Sequence, residues 1–215
     1  MVIKAEAGLS DEEIIRNILN GKKDQFAILY SRYKKKVLDK CFSILKDRSL
    51  AIELEQEIFS KVYEKLPGYK GIASFSSWLY AITYNHSIEY LRQRKKLNYP
   101  EWNRSNELPE AIDEIDQTDK EGLRYERLVK IMEMIHPEEK ALLLMKYQDD
   151  IPIKLIMSTF RISESAAKMR IKRAKARVSY LYKKMYPNED NLWPLLLPVV
   201  LIKIFKEWKT YFWEF

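Results

Sequence analysis

Residues 74–96 read SFSSWLYAITYNHSIEYLRQRKK, with no glycine or proline to break the run. Serines at its start can accept the free backbone N–H groups of a first helical turn, and cations at its end suit the negative pole of a helix. The spacing therefore predicts one helix. Its apolar side chains, Trp78, Leu79, Tyr80, Ile82, Tyr84, Ile88, Tyr90 and Leu91, cover nearly the whole circumference, where a surface helix needs only a stripe. Two readings account for the surplus. The helix is central and buried on several sides, or some of its aromatics form a platform for unstacked bases, with Asn85 on a base edge and Arg92, Arg94, Lys95 and Lys96 on phosphates.

The rest of the chain must supply what packs around that helix. With 215 residues and only five glycines, an all-α protein of two small helical domains is expected, each near the lower size at which a core supports itself. The net charge is +7, which suits a polyanionic partner but also many ordinary proteins. Cys41 is the single cysteine. It lies in an apolar pattern, so a buried thiol in a reducing, cytoplasmic setting is expected. The first residues lack a signal-type apolar core, and no stretch approaches the roughly 20 apolar residues of a spanning helix.

Ser10 followed by Glu13 forms a capping box ahead of Ile14, Ile15, Ile18 and Leu19, with Gly21 as the stop. Phe26, Leu29, Tyr33, Val37, Cys41 and Ile44 then recur at three and four residues, with the basic run 34–36 outside. Over 50–66 the stripe is Ala51, Leu54, Ile58, Val62 and Leu66, which leaves Glu53, Gln56, Glu57, Ser60 and Glu64 on other faces. Carboxylates and an amide around an apolar centre favour a protein contact and repel phosphates; a plain solvated face is the simpler alternative. Pro67 and Gly68 end this helix. In the loop that follows, Gly71, Ala73 and Ser74 are small enough for close backbone approach.

Between 98 and 127 apolar periodicity fades, and nine acids face four bases, a net of −5 that leaves +12 on the remainder. An extended acidic linker is the simplest reading. A second unit opens near Leu128. His136 and Pro137 start one helix, Ile153, Ile156, Met157 and Phe160 mark a short second, Arg161 and Ile162 turn, and Ser163 caps a third. On the third, Ala167, Ile171, Ala174, Val178 and Leu181 form a clean inner stripe. Ser165, Met169, Lys172 and Ala176 lie opposite it, flanked by Lys168, Arg170, Arg173 and Arg177. This is the pattern of a helix-turn-helix whose basic helix enters a major groove. Within the tail 187–215, the run 192–202 is almost wholly apolar but carries Pro194 and Pro198, so it is not a regular spanning helix. It either folds back on a domain or offers an interface helix to a membrane, an inhibitor or a second copy.

Three stretches together resemble one family. Phe75, Trp78, Leu79, Ile82, Asn85, Leu91 and Arg92 are similar to the promoter-melting helix of bacterial sigma factors of the extracytoplasmic-function group. The series AIELEQEIFSKVYEKL resembles the segment with which these proteins grip a coiled coil on the polymerase clamp. The pattern from His136 to Arg177 resembles their upstream (−35) element binding domain. The resemblance covers roughly residues 9–186 and divides the chain into a region 2-like domain (9–97), the acidic linker (98–127), a region 4-like domain (128–186) and a C-terminal extension (187–215). It implies polymerase contacts by Glu53, Gln56, Glu57 and Phe59, and contacts to the downstream (−10) element by Gly71, Ser74, Phe75, Trp78, Asn85 and Arg92. It also implies base reading in the −35 element by Lys168, Met169 and Lys172, with Arg170 and Arg173 on phosphates. Core RNA polymerase, promoter DNA and an anti-sigma factor are the implied partners, with no cofactor and no metal. Three departures stand out: Glu55 where the family has an aliphatic residue, Arg161 in place of a turn glycine, and Met157 in place of a small residue where two helices meet.

No phosphate loop, metal cluster or acid–base pair supports an enzyme; Gly21, Lys22 and Lys23 lack the rest of a P-loop. The leading reading is a sigma factor. An autonomous helix-turn-helix repressor or activator is the alternative, and a basic helical adaptor whose aromatic helix is only core is the third.

Overall fold

The computed structural model describes residues 8–93 and 120–187, and among these residues every regular element is helical. They form two compact units.

The first unit contains α1 (Asp11–Leu19), α2 (Phe26–Leu45), α3 (Arg48–Lys65) and α4 (Phe75–Gln93). The capping box forms as the sequence predicts: Ser10 Oγ accepts the Glu13 N–H at 3.2 Å, and Glu13 accepts the Ser10 N–H at 2.7 Å. That backbone hydrogen bond holds the Glu13 carboxyl below its ordinary range. Asp11 anchors α1 to α2 by accepting from both the Arg32 guanidinium and the Tyr33 hydroxyl, while Arg32 also donates to the Leu9 carbonyl at 2.9 Å. The α2 helix ends at Lys46, in the left-handed region at φ 59°. Asp47 then caps α3 through the Leu50 N–H at 3.0 Å.

The α4 helix is the centre of this unit. Phe75, Leu79, Tyr84 and Ile88 are at most 2% exposed, and each side chain so buried contributes about 1.5–3 kcal/mol of hydrophobic stabilisation. Its small polar residues are satisfied from within: Thr83 Oγ1 donates to the Leu79 carbonyl at 2.9 Å, and the Ser87 hydroxyl meets Cys41 Sγ at 3.8 Å. Lys40 reaches it from α2, with Nζ 4.2 Å from the Tyr80 ring centroid and 5.5 Å from that of Tyr84. The bland reading of the aromatic surplus thus holds for most of the helix. Cys41 is fully buried, and burial pushes its thiol up to about 12.

The second unit contains α5 (Lys120–Met134), α6 (Pro137–Leu143), α7 (Ile153–Phe160) and α8 (Glu164–Met185). The α5 helix starts at Lys120, inside the segment that charge and loss of periodicity assign to the linker. His136 Nδ1 caps α6 by accepting the Glu138 N–H at 3.2 Å, and a single π turn, Leu144–Gln148, extends α6. Leu128, Ile131 and Met132 of α5 form the core with Leu142, Leu143, Ile156 and the inner stripe of α8. That stripe closes on Tyr182, 5% exposed, where the four-three alternation predicted Leu181. A 3.6-residue period drifts off any fixed alternation, so the last contact moves on by one position. Arg177 to Glu139 at 3.5 Å and Lys140 to Glu133 at 2.7 Å link α6 to α8 and to α5.

Candidate functional site

Three exposed faces carry the candidate residues. On α3, Glu53, Gln56 and Glu57 all lie open, because the Ala51–Leu54–Ile58–Val62 stripe turns the other side of the helix inward. Ile52 and Tyr63, 41% and 38% exposed, add apolar surface to this acidic helix. Phe59 does not: it is 3% exposed and packs edge-on to Tyr30 at 4.8 Å and Phe26 at 6.3 Å. The direct contact expected of Phe59 is corrected to a core role, since the α2–α3 interface encloses its ring.

Glu57 is held from α4. Its Oε2 lies 2.7 Å from His86 Nε2, and His86 Nδ1 lies 3.0 Å from Lys61 Nζ. An ammonium only donates, so this network assigns the ring proton to Nε2, which donates it to Glu57. Glu55, one step inside this face, is 2% exposed with Oε1 lacking a hydrogen-bond partner. Burial raises its carboxyl above the ordinary value, opposed by the Lys34 cation.

The second face is the loop before α4 together with one side of that helix. Gly71 takes φ +65°, and a Cβ there would meet no atom within 4 Å. The turn itself therefore needs the glycine, with no close approach involved. Tyr69 closes the loop by donating to the Ala73 carbonyl at 2.7 Å, and its ring lies 5.2 Å from that of Trp78. Ser74 caps α4, its Oγ accepting the Ser77 N–H at 3.2 Å. Phe75 is 1% exposed and packs against Tyr33 at 5.4 Å, so its expected DNA contact is corrected to a core anchor beneath the loop. Trp78 is half-buried, while Asn85 and Arg92 are exposed, with Arg92 3.5 Å from Glu89. These three are seven apart and share one side of α4 with Ile82 and Glu89. Arg94, Lys95 and Lys96 lie outside the described residues.

The third face is on α8. Ser163 Oγ caps the helix through the Ala166 N–H at 3.3 Å. Lys168, Met169, Arg170, Lys172 and Arg173 are all exposed, opposite the buried stripe. Lys168 pairs with Glu164 on the preceding turn, and this contact holds the Glu164 carboxyl below its ordinary range. Arg170 lies 3.8 Å from Glu138.

Sequence reasoning missed Ile72, 82% exposed at the tip of the loop beside Gly71, and it missed His86 as the partner of Glu57. An apolar residue next to a turn glycine was the available signal for Ile72. Nothing local marks His86, whose partner lies 29 residues away. Among the described residues, no group of three or more His, Cys, Asp or Glu is placed to hold a metal, and no helix is long and apolar enough to cross a membrane.

The family description Sigma-70 region 2 matches residues 29–97, which take in most of α2 and all of α3 and α4. The extracytoplasmic-function RNA polymerase sigma factor SigW of Bacillus subtilis is 25% identical over 173 residues, 75% of this chain and 90% of that one. The RNA polymerase sigma factor SigZ of the same organism is 30% identical over 139 residues, 63% of this chain and 74% of the relative. The chain belongs to the extracytoplasmic-function sigma factors. The fold of this sigma factor is also that of CnrH, solved in complex with the cytosolic domain of CnrY, with a TM-score of 0.54, 15% identity, and coverage of 81% of this chain and 97% of that one. The linker reading over 98–119 and the extension reading beyond Pro187, membrane contact included, lie outside the described residues.

Proposed function

We infer that this sigma factor binds core RNA polymerase and directs promoter-specific initiation, and that its three exposed faces divide the work. Glu53, Gln56 and Glu57 take the polymerase, with Ile52 and Tyr63 as the apolar part of the contact and His86 holding the Glu57 carboxylate in position. The loop at Gly71 and Ser74 receives a base extruded from the −10 element, Trp78 and Asn85 meet the opened strand, and Arg92 neutralises phosphate. Lys168, Met169 and Lys172 read the −35 duplex, and Arg170 and Arg173 hold its backbone.

The observation that carries this reading is the segregation of charge on exposed faces. An acidic face on α3, unsuited to DNA, and a cationic face on α8, suited to it, occur in one chain of this family. Extruding a base costs a few kcal/mol, and stacking returns about 1–3 kcal/mol per base. Opening without a nucleotide-driven motor therefore draws on the free energy of polymerase binding. The protein acts as a specificity subunit with no catalysis of its own, in the cytoplasm where polymerase and promoter are found. The acidic segment before α5 serves as the linker. The sigma factor RpoE of Bartonella quintana, a structure of like fold, was solved with the anti-sigma factor NepR, which supports an anti-sigma factor as a further polypeptide partner here. An autonomous helix-turn-helix regulator is not favoured, since it has no use for the acidic α3 face.

Transcription from a genomic fragment library by core polymerase, with and without the protein, tests this. Selective transcripts that require the protein are expected. Glu57→Lys should weaken polymerase binding at least tenfold while leaving duplex binding within about twofold, because it reverses charge on one face only. Tight, selective duplex binding by the free chain, with no effect on core polymerase, would overturn the reading in favour of the regulator.

A further inference from the structure

The α8 face contains one side chain that does not belong on a phosphate-binding surface. Met169 is 48% exposed, although its neighbours along the exposed side are Lys168, Arg170, Lys172 and Arg173. It cannot be accounted for as core, since Ala167, Ile171, Ala174 and Val178 occupy the inward side of the helix. It cannot act through charge, and its thioether is at best a weak acceptor with nothing to donate. Its place in the helix is informative. Met169 lies in the second turn after the Ser163 cap and shares a face with Ser165 one turn before it and with Lys172 one turn after it. The N-terminal turns of a recognition helix are the part that meets base edges in the major groove.

Base edges in that groove offer hydrogen-bond donors and acceptors throughout, with a single apolar group among them, the C5 methyl of thymine. A flexible, polarisable and unbranched side chain adapts its shape to such a group. We propose that Met169 selects thymine in the −35 element by packing its thioether against that methyl group. Lys172, one turn on, supplies a donor for an adjoining base, so the pair reads one apolar and one polar feature side by side. The proposal rests on α8 being the −35 reader and adds the chemistry of one position in that element.

The test uses the full chain with core polymerase. Promoters are first selected from a pool randomised over the −35 element, then thymines in both strands are replaced one at a time by deoxyuridine, which removes only the methyl group. At one position, binding of the holoenzyme should fall about fourfold, the effect of exposing one methyl-sized group. The Met169→Ala protein should bind thymine and deoxyuridine promoters alike, because its sensitivity to the methyl is gone. Folding is not at risk, since alanine is the best helix former and the site is exposed. Met169→Gln should shift the selected base at that position from thymine toward adenine, which an amide contacts in bidentate fashion.

Three results overturn the proposal while leaving the sigma factor reading intact: a selected element of G·C pairs only, no position sensitive to deoxyuridine, or a sensitivity that persists in Met169→Ala. The second of these would assign Met169 to a protein contact. Failure of the holoenzyme to select any upstream sequence would instead undermine the parent reading of α8.

Discussion

Glu55 shows how much one side chain can cost. Its neighbours in sequence, Glu53 and Glu57, are solvated, yet Glu55 is enclosed, with one oxygen lacking a hydrogen-bond partner. The folded state holds its proton more tightly than the unfolded chain, because burial raises the carboxyl above 4.5. The penalty is therefore absent below pH 4.5 and grows as pH rises through the window above it, up to the folded-state value. Glu55→Met should stabilise the protein by about 1–3 kcal/mol at neutral pH, the cost of burying a carboxylate with one oxygen left without a hydrogen bond. Denaturant melts at pH 7 and pH 4 check this: the gain should shrink at the lower pH, and a gain of equal size at both would contradict the assignment. The aliphatic pattern of the family pointed to this position in the sequence. Phe59 and Phe75 were misjudged at the same scale, because a motif names a residue type and only the packing shows whether its ring faces a partner or the core.

At the scale of elements, boundaries followed from local chemistry. The Ser10–Glu13 box, the Asp47 and Ser163 caps and the Pro137 start are satisfied by atoms within three residues, so the sequence carries them in full. The turn between α7 and α8 shows a local rule broken. Arg161 sits at φ 52° and ψ 49°, a left-handed conformation that costs a residue bearing a Cβ about 1–2 kcal/mol. Arg161→Gly should recover roughly 1 kcal/mol, measured as a shift in chemical unfolding of the second unit. An unchanged midpoint would mean that the arginine side chain offsets its own strain. Met157, the other departure near this turn, is half-buried, and its carbonyl accepts the Ile162 N–H at 3.0 Å to close α7.

For the molecule as a whole, charge placement matters more than the net +7. On the proposed reading, cations concentrated on α8 make promoter binding a salt-dependent equilibrium, in which each phosphate contact adds close to one unit to the slope of log affinity against log salt. Arg173→Ala should lower binding of all promoters alike and flatten that slope by about one unit, whereas Lys172→Ala should change the ranking of promoters at constant slope. Holoenzyme titrations at several salt concentrations, on matched and mismatched −35 elements, separate the two. If both variants behave in the same way, the division between base reader and phosphate anchor on this helix is wrong.

The sequence by itself determined most of the helices, caps and inward stripes, though neither the start of α5 nor the last contact of the α8 stripe, because these depend on hydrogen bonds and periodicities that close within a few residues. It also located the acidic and basic faces, since polar residues opposite a clear apolar stripe have nowhere else to point. Only the tertiary structure decided which aromatics are enclosed, that Glu55 is buried, and that His86 of α4 holds Glu57 of α3. Each of these is set by a side chain from another helix, tens of residues away, and no local pattern encodes which neighbour arrives.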